Sequence, residues 1–445
     1  MLSISAGLKA QEAISYYNLE KIQAFESWKM LDNAIDNDTQ DIVIAVIDKG
    51  ININHVDLKD NLWTNKNEIP DNLIDDDQNG FIDDYYGWNF ANNTNDITIS
   101  GVGNWHGTPV NGIIGAVHNN IGVNGVCSNI KLLNVVKGEN IESIKNSLNY
   151  VYNLRKRYNQ TDGREGAFVV AINCSWGKDS LWAANYPDWC ETYNKLGEVG
   201  ILCVTSAPND NIDVDLNGDM PSLCLSDFLI TVTNTNQFDE KIYDAGYGSS
   251  SIDLGSPGEK SFTTLNPGGY GYFNGTSAAA PYVTGAVGIM YFLPSSTFHT
   301  DIKKKPHETA LLIKKVLLDG VDKTTSLIGK TVTEGRLNIF KSLKLLCDYY
   351  DIQNLYSDNF VELEIISIYP NPILTDAILT LESNLKQQLS LYVSDMLGHN
   401  VLSLQINQNE GIDLHSINFS GLKPGIYILS VSDNRIRKSI KIIVQ

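Results

Sequence analysis

The chain has 445 residues, 42% hydrophobic and 19% charged, which suits a globular protein of more than one domain. Its 33 basic residues face 52 acidic ones; a net charge of −19 argues against nucleic-acid or anionic-membrane partners and suits a hard cation such as calcium. No apolar run approaches bilayer length, so no transmembrane segment is expected.

The opening MLSISAGLKAQ lacks a basic start and reads as a poor signal peptide. Residues 1–40 are an N-terminal segment leading into a first domain over 41–345. Within that domain, Ile42–Ile47, Lys131–Val136, Phe168–Ile172, Ile201–Val204 and Phe228–Val232 are short, nearly continuous apolar runs. Runs apolar on both faces predict parallel strands buried between helices. Helical patterns over 109–117, 141–157 and 278–292 lie between or after them. The expected fold class is α/β, with a doubly wound, mostly parallel sheet whose ligands sit beyond the carboxyl ends of the strands. Cys127, Cys174, Cys190, Cys203, Cys224 and Cys347 contain no C-x-x-C pair, which argues against a zinc ribbon or thioredoxin chemistry. Buried thiols are expected, with a disulfide or two left open.

Three segments in this domain carry chemistry. Ile47-Asp48-Lys49-Gly50 follows the first strand. His106-Gly107-Thr108-Pro109 opens a helix rich in small residues. Gly275-Thr276-Ser277-Ala278-Ala279-Ala280-Pro281 opens another, with proline read as lying at the tolerant helix start. A serine hydroxyl is a weak nucleophile until a neighbouring imidazole takes its proton, and a buried carboxylate orients that imidazole. An Asp at a strand end, with His and Ser at helix starts, brings all three to one sheet edge. Their order along the chain is Asp, His, Ser.

The stretches AVIDKG, HGTPVNGIIGAV with NNIGVNGV, and NGTSAAAPYVTGAV resemble the Asp, His and Ser motifs of the subtilisin-like serine peptidases (subtilases, family S8). Leu19–Trp28 and Gly335–Asn338 resemble the start and close of the family's catalytic domain. The resemblance implies that Asp48, His106 and Ser277 form a triad and that Asn209 holds the oxyanion. Pro208 stands where the family carries glycine, and Lys49 where it carries Ser or Thr. Ser175, Trp176 and Gly177 resemble the edge strand that pairs with substrate; with Thr205, Ser206 and Ala207 they are expected to wall the pocket for the residue before the cut.

Asp75, Asp77, Asn79 and Asp83, with Gly80 at the turn, match D-x-D-x-N-G-x-I-D and predict an EF-hand-like calcium site, although Tyr86 stands where the bidentate Glu belongs.

Residues 346–362, polar and rich in Asp, Asn and Tyr, read as a linker. From 363 to 445 the pattern changes to short alternating segments: Ile365–Tyr369, Ala377–Leu381, Leu389–Val393, Val401–Ile406 and Gly425–Val431. Pro370-Asn371-Pro372, Gly398-His399-Asn400 and Lys423-Pro424-Gly425 punctuate them. A small antiparallel β-sandwich is expected. Tyr369–Pro372, Asp395–Gly398, Leu422–Tyr427 and the basic end 435–445 resemble the type A C-terminal sorting domain of the type IX secretion system in Bacteroidetes. That implies contact with this machinery, export across the outer membrane, and an extracellular or cell-surface location. The reading is a monomeric secreted serine endopeptidase acting on proteins or peptides through an acyl-enzyme. The alternatives are a catalytically impaired subtilisin-fold peptide binder and a surface adhesin.

Overall fold

A computed structural model describes residues 16–31, 41–98, 106–119, 121–352, 355, 363–383, 385–396, 398–432 and 437–445. The chain divides after Leu355 into two units. In the first, nine strands form one sheet in the order Asp322–Lys323, Gly335–Arg336, Leu254–Pro257, Leu229–Thr235, Leu202–Ser206, Val169–Cys174, Val43–Asp48, Lys131–Val136 and Gly87–Asn89. All pairings are parallel except that between Asp322–Lys323 and Gly335–Arg336.

The apolar runs are continuous because both faces are covered. All six residues of Val43–Asp48 are buried. Val43, Ala45 and Ile47 pack with Ile144, Leu148, Val151 and Leu154 of helix Ile141–Thr161. Ile44 turns to the opposite face, where helix Thr276–Met290 comes so near that a β-carbon on Gly288 would lie 2.9 Å from Ile44 Cδ1. Truncating such a core residue to alanine costs about 2–5 kcal/mol.

Helix boundaries follow local caps. The pattern over 109–117 begins at Gly107, with Pro109 inside the first turn, where its missing N–H is not needed. Asn140 starts the helix expected over 141–157 by accepting from Ser143 N at 2.8 Å, and Asp162 ends it in the left-handed region at φ 51°. Helix Ile339–Tyr349 runs past the expected domain end at 345, capped by Asn338. Helices Tyr17–Lys21 and Ala24–Leu31 dock onto the same unit, Ile22 O accepting from Ile339 N at 2.8 Å. The rest of 1–40, and residues 353, 354 and 356–362 of the expected linker, lie outside the described residues.

Cys190 and Cys224 form a disulfide, while Cys127, Cys174, Cys203 and Cys347 are buried thiols. Burial pushes the pKa of all four thiols up, which makes them unreactive packing groups.

In the second unit all pairings between strands are antiparallel, and Ile373 adds an isolated parallel bridge to Val444. One sheet pairs Leu363–Tyr369, Asp376–Ser383 and Gly411–Asn418; the other pairs Asn400–Gln408, Gln387–Ser394, Gly425–Ser432 and Arg437–Val444. Their facing sides share one core, including Leu379, Leu381, Leu389, Leu391, Val393, Ile417, Leu429 and Ile442. Alternate residues of Asp376–Ser383 are buried, the period of a strand with one face on a core. Gly411–Asn418, outside the expected set, exposes Ile412 and Leu414 at 62% and 68% and buries Ile417.

Candidate active site

Asp48 ends the strand whose neighbours are Lys131–Val136 on one side and Val169–Cys174 on the other. The chain order reverses there, which opens a crevice beyond the strand ends. Asp48 is buried, and Lys49 N–H donates to its Oδ1 at 2.7 Å. His106 Nδ1 lies 2.9 Å from both Oδ1 and Oδ2. A proton on Nδ1 directed at this carboxylate leaves Nε2 as the basic nitrogen. The approach requires glycine at 107: a β-carbon there would lie 2.1 Å from Gly50 O and 3.4 Å from Asp48 Cβ. Phe273 meets the imidazole edge-on at 5.3 Å. Burial pulls the His106 pKa down, but the charge and hydrogen bond of Asp48 outweigh it, and the net shift is upward.

Ser277 stands in the first turn of Thr276–Met290, a helix buried along its whole length. Proline does not lie at this helix start as the sequence suggested. Pro281 is inside the helix, four residues after Ser277. It removes the N–H that would otherwise bond the Ser277 carbonyl. That carbonyl instead accepts from Ser175 Oγ at 2.9 Å, while Ser277 Oγ donates to Ser175 O at 3.2 Å. The tie continues inward: Asn173 Nδ2 donates to Ser175 Oγ at 2.9 Å, and Thr284 Oγ1 to Asn173 Oδ1 at 2.8 Å. The serine turn is therefore bolted to the end of strand Val169–Cys174 by side chains.

Asn209 Oδ1 accepts from Thr276 N at 3.0 Å and lies 2.9 Å from Thr276 Oγ1. With its oxygen held at the helix start, the amide Nδ2 is the donor end turned away from it. Gly275, at φ 97°, makes this possible, since a β-carbon there would lie 2.8 Å from Asn209 Oδ1. Ser277 is the second residue of the helix, so its N–H precedes the i→i−4 hydrogen-bond ladder. Pro208 fits because Gly246 faces it: a β-carbon on Gly246 would lie 2.8 Å from Pro208 Cδ, and Gly246 N donates to Pro208 O at 2.8 Å.

The expected substrate wall is a mixed set. Ser175 is buried and spends its hydroxyl on Ser277, so it positions rather than lines. Trp176 Nε1 donates to Ile47 O at 2.6 Å, and Gly177 is exposed. Thr205, Ser206 and Ala207 are buried at the end of strand Leu202–Ser206; Thr205 Oγ1 lies 3.3 Å from Cys174 O, and Ala207 O accepts from Thr276 Oγ1 at 2.6 Å.

The acidic loop is arranged differently from its motif. Asp75 accepts from the N–H groups of Asn79 and Gly80. Asp83 accepts from those of Asn72 and Leu73. Asn79 Oδ1 accepts from Phe81 N, and its Nδ2 donates to Asp84 Oδ2. Of the four expected ligands, Asp75, Asp77, Asn79 and Asp83, Asp77 joins a carboxylate cluster, against which the Asn79 amide lies, and the carboxylates of Asp75 and Asp83 do not. The companions of Asp77 are Glu68 and Asp84, all three buried, with one oxygen from each within 4.8 Å of the others. Asp84 is further held by Asn65 and Tyr150. Glu68 Oε2 is buried without a hydrogen-bond partner among the described residues. Burial, more than neighbouring charge, raises the pKa of Glu68 and of Asp84. Asp84 was in view in the sequence as part of the Asp83-Asp84 pair; Glu68 precedes the loop and carries no local signal.

Residues 39–331 match the Subtilase family (Peptidase_S8), and the chain belongs to it. Residues 367–445 match the secretion system C-terminal sorting domain, which marks a chain for secretion. Among curated relatives, the chain is 30% identical over 336 residues to Subtilisin-like protease 1 of Plasmodium berghei (strain Anka), covering 69% of this chain and 50% of that protein. It is 28% identical over 286 residues to the Major intracellular serine protease of Bacillus subtilis (strain 168), covering 63% and 77%. It thus spans about half the length of the Plasmodium berghei relative. Among solved structures, the epidermin leader peptide processing serine protease of Staphylococcus aureus shares the fold with TM-score 0.52, 22% identity and 75% and 82% coverage. The structure of the subtilase cytotoxin SubAB assembly does so with TM-score 0.56, 19% identity and 77% and 98% coverage. Among the described residues, no helix is long and apolar enough to cross a membrane.

Proposed function

We propose that this subtilase is a secreted serine endopeptidase working through a triad of Asp48, His106 and Ser277. The observation that carries the reading is the His106–Asp48 pair at 2.9 Å, on the same sheet edge as a serine braced at a helix start. Ser277 Oγ attacks the scissile carbonyl carbon as His106 Nε2 takes the hydroxyl proton. The carbonyl oxygen gains negative charge, which Asn209 Nδ2–H and Ser277 N–H stabilise. The C–N bond then breaks, and His106 passes its proton to the leaving amine. Water repeats the attack on the acyl-enzyme, His106 taking its proton and returning it to Ser277. A peptide backbone adds as a strand beside Trp176 and Gly177. A fluorophosphonate probe tests the reading: it labels the wild type and leaves Ser277→Ala unlabelled. A folded wild type that takes no label would instead favour a peptide-binding subtilase.

The tail is proposed to engage the type IX secretion machinery and to direct the chain to the cell surface or medium. Deleting residues 363–445 then abolishes export and leaves hydrolysis intact.

A structural calcium ion is proposed in the acidic loop, with Glu68, Asp77 and Asp84 as carboxylate ligands in place of the set expected from the motif. Three buried carboxylates, one with an unsatisfied oxygen, suit a hard cation with oxygen ligands. The ion would supply charge compensation and hold the loop; no catalytic step passes through it.

A further inference from the structure

A second charged cluster lies beside the triad, and its sign is opposite to that of the chain as a whole. Lys49 directly follows Asp48; the backbone N–H of Lys137 donates to Asp48 O at 3.0 Å; Lys178 directly follows Gly177. Their ammonium groups converge on a single carboxylate. Glu139 lies 3.9 Å from Lys49 Nζ, 3.7 Å from Lys137 Nζ and 4.0 Å from Lys178 Nζ. All three distances exceed a hydrogen bond, and the Glu139 side chain is 73% exposed. The Lys137 side chain, by contrast, is 5% exposed, with its ammonium over the Trp176 ring at 5.3 Å. Burial lowers the Lys137 pKa, with Glu139 and Asp48 acting against that shift. Lys49, Lys137 and Glu139 line a cavity of about 360 Å³ together with Asn89, Phe90 and Gly138.

Two ammonium groups at a cavity and a third beside it, with a loosely held and solvent-exposed glutamate among them, describe a carboxylate site whose present occupant is replaceable. We infer that Lys49, Lys137 and Lys178 form a subsite for an acidic side chain of the substrate, upstream of the residue at the cut, with Glu139 occupying it in the free protein. Trp176 sets the location: it belongs to the edge on which upstream residues would lie, and Lys137 covers its ring. This inference rests on the peptidase reading, since it takes that edge as the substrate strand.

The test compares peptides that differ only by Glu or Gln at each of the second, third and fourth positions before the cut. At one of these positions, kcat/KM is expected to favour Glu by about tenfold at low salt, and the preference shrinks as salt is added. The Glu/Gln ratio is read within each variant, so a change in overall rate does not enter it. Lys137→Met and, independently, the more exposed Lys49→Ser lower the ratio towards one. Glu139→Gln raises it, because the internal competitor loses its charge. Equal rates for the two peptides at every position would overturn the subsite, as would a preference unchanged in both lysine variants. Should wild type hydrolyse nothing and take no fluorophosphonate label, the peptidase reading fails by itself. Calorimetry of the same peptide pairs on that protein then decides the subsite: tighter binding of a Glu peptide keeps it, and equal affinity removes it.

Discussion

The edge that gathers Asp48, His106 and Ser277 draws on three segments distant along the chain, whereas the acidic loop is one short stretch, and the two place their motif residues differently. At the edge, each residue singled out in the sequence stands at the end of a rigid element: Asp48 on a buried strand, His106 and Ser277 at helix starts. In the loop, backbone N–H groups compete for the same carboxylates that a cation would use. Asp75 and Asp83 are taken by turns, and the cluster draws on Glu68 from outside the motif. Secondary structure sets side-chain direction at the edge, whereas in an irregular loop the side chains also serve as acceptors for the turns.

Five measurements put this contrast to the test. Ser277→Ala removes the nucleophile and should lower kcat by about 10⁶-fold with little effect on thermal stability. Asp48→Asn should cost about 10⁴-fold in kcat. It should also move the acid limb of kcat/KM. His106 works as a base when neutral, so activity falls as pH drops through its pKa, which Asp48 holds above the ordinary value. Without that carboxylate charge the pKa falls and the limb moves to lower pH; a limb that stays in place would mean that another group controls it. Asn209→Ala should lower kcat by about 10²–10³-fold with KM nearly constant. A wild-type rate would put the oxyanion elsewhere.

The loop predictions are smaller. Calcium at about a hundred times its dissociation constant should stabilise the protein by about 2.7 kcal/mol, read as a rise in Tm that chelation reverses. Glu68→Gln should weaken that response, whereas Asp83→Asn should keep it and lose only turn stability, on the order of 1 kcal/mol. If Asp83→Asn abolished the response and Glu68→Gln left it whole, the motif would be the better guide and the redrawn ligand set would fall. Ser175→Ala deletes the hydroxyl that braces the Ser277 carbonyl, at a cost of about 1 kcal/mol in stability. A kcat loss larger than the stability loss would mark Ser175 as a positioning residue for the nucleophile.

Much of the fold was open to reading because burial on two faces leaves an apolar trace. Val43–Asp48, Lys131–Val136 and Val169–Cys174 lie within a residue or two of their expected bounds. Strands outside the expected set include the short, buried Gly87–Asn89 and Leu254–Pro257, and Gly411–Asn418, where Ile412 and Leu414 are exposed. The bracing of Ser277 was invisible for another reason: Asn173, Ser175 and Thr284 are ordinary polar residues until the helix and strand cross.

From its residues alone, this chain determines an α/β sheet with a β-sandwich tail, and the Asp48, His106 and Ser277 motifs that sit at the ends of its elements, because periodicity and caps act over a few neighbouring residues. Tertiary structure alone decides that Pro281 frees a carbonyl for Ser175, that Glu68 joins Asp77 and Asp84, and that three lysines surround Glu139 beside Asp48. Those outcomes depend on which side chains, distant along the chain, meet in a buried or half-buried space, and no local spacing records that meeting.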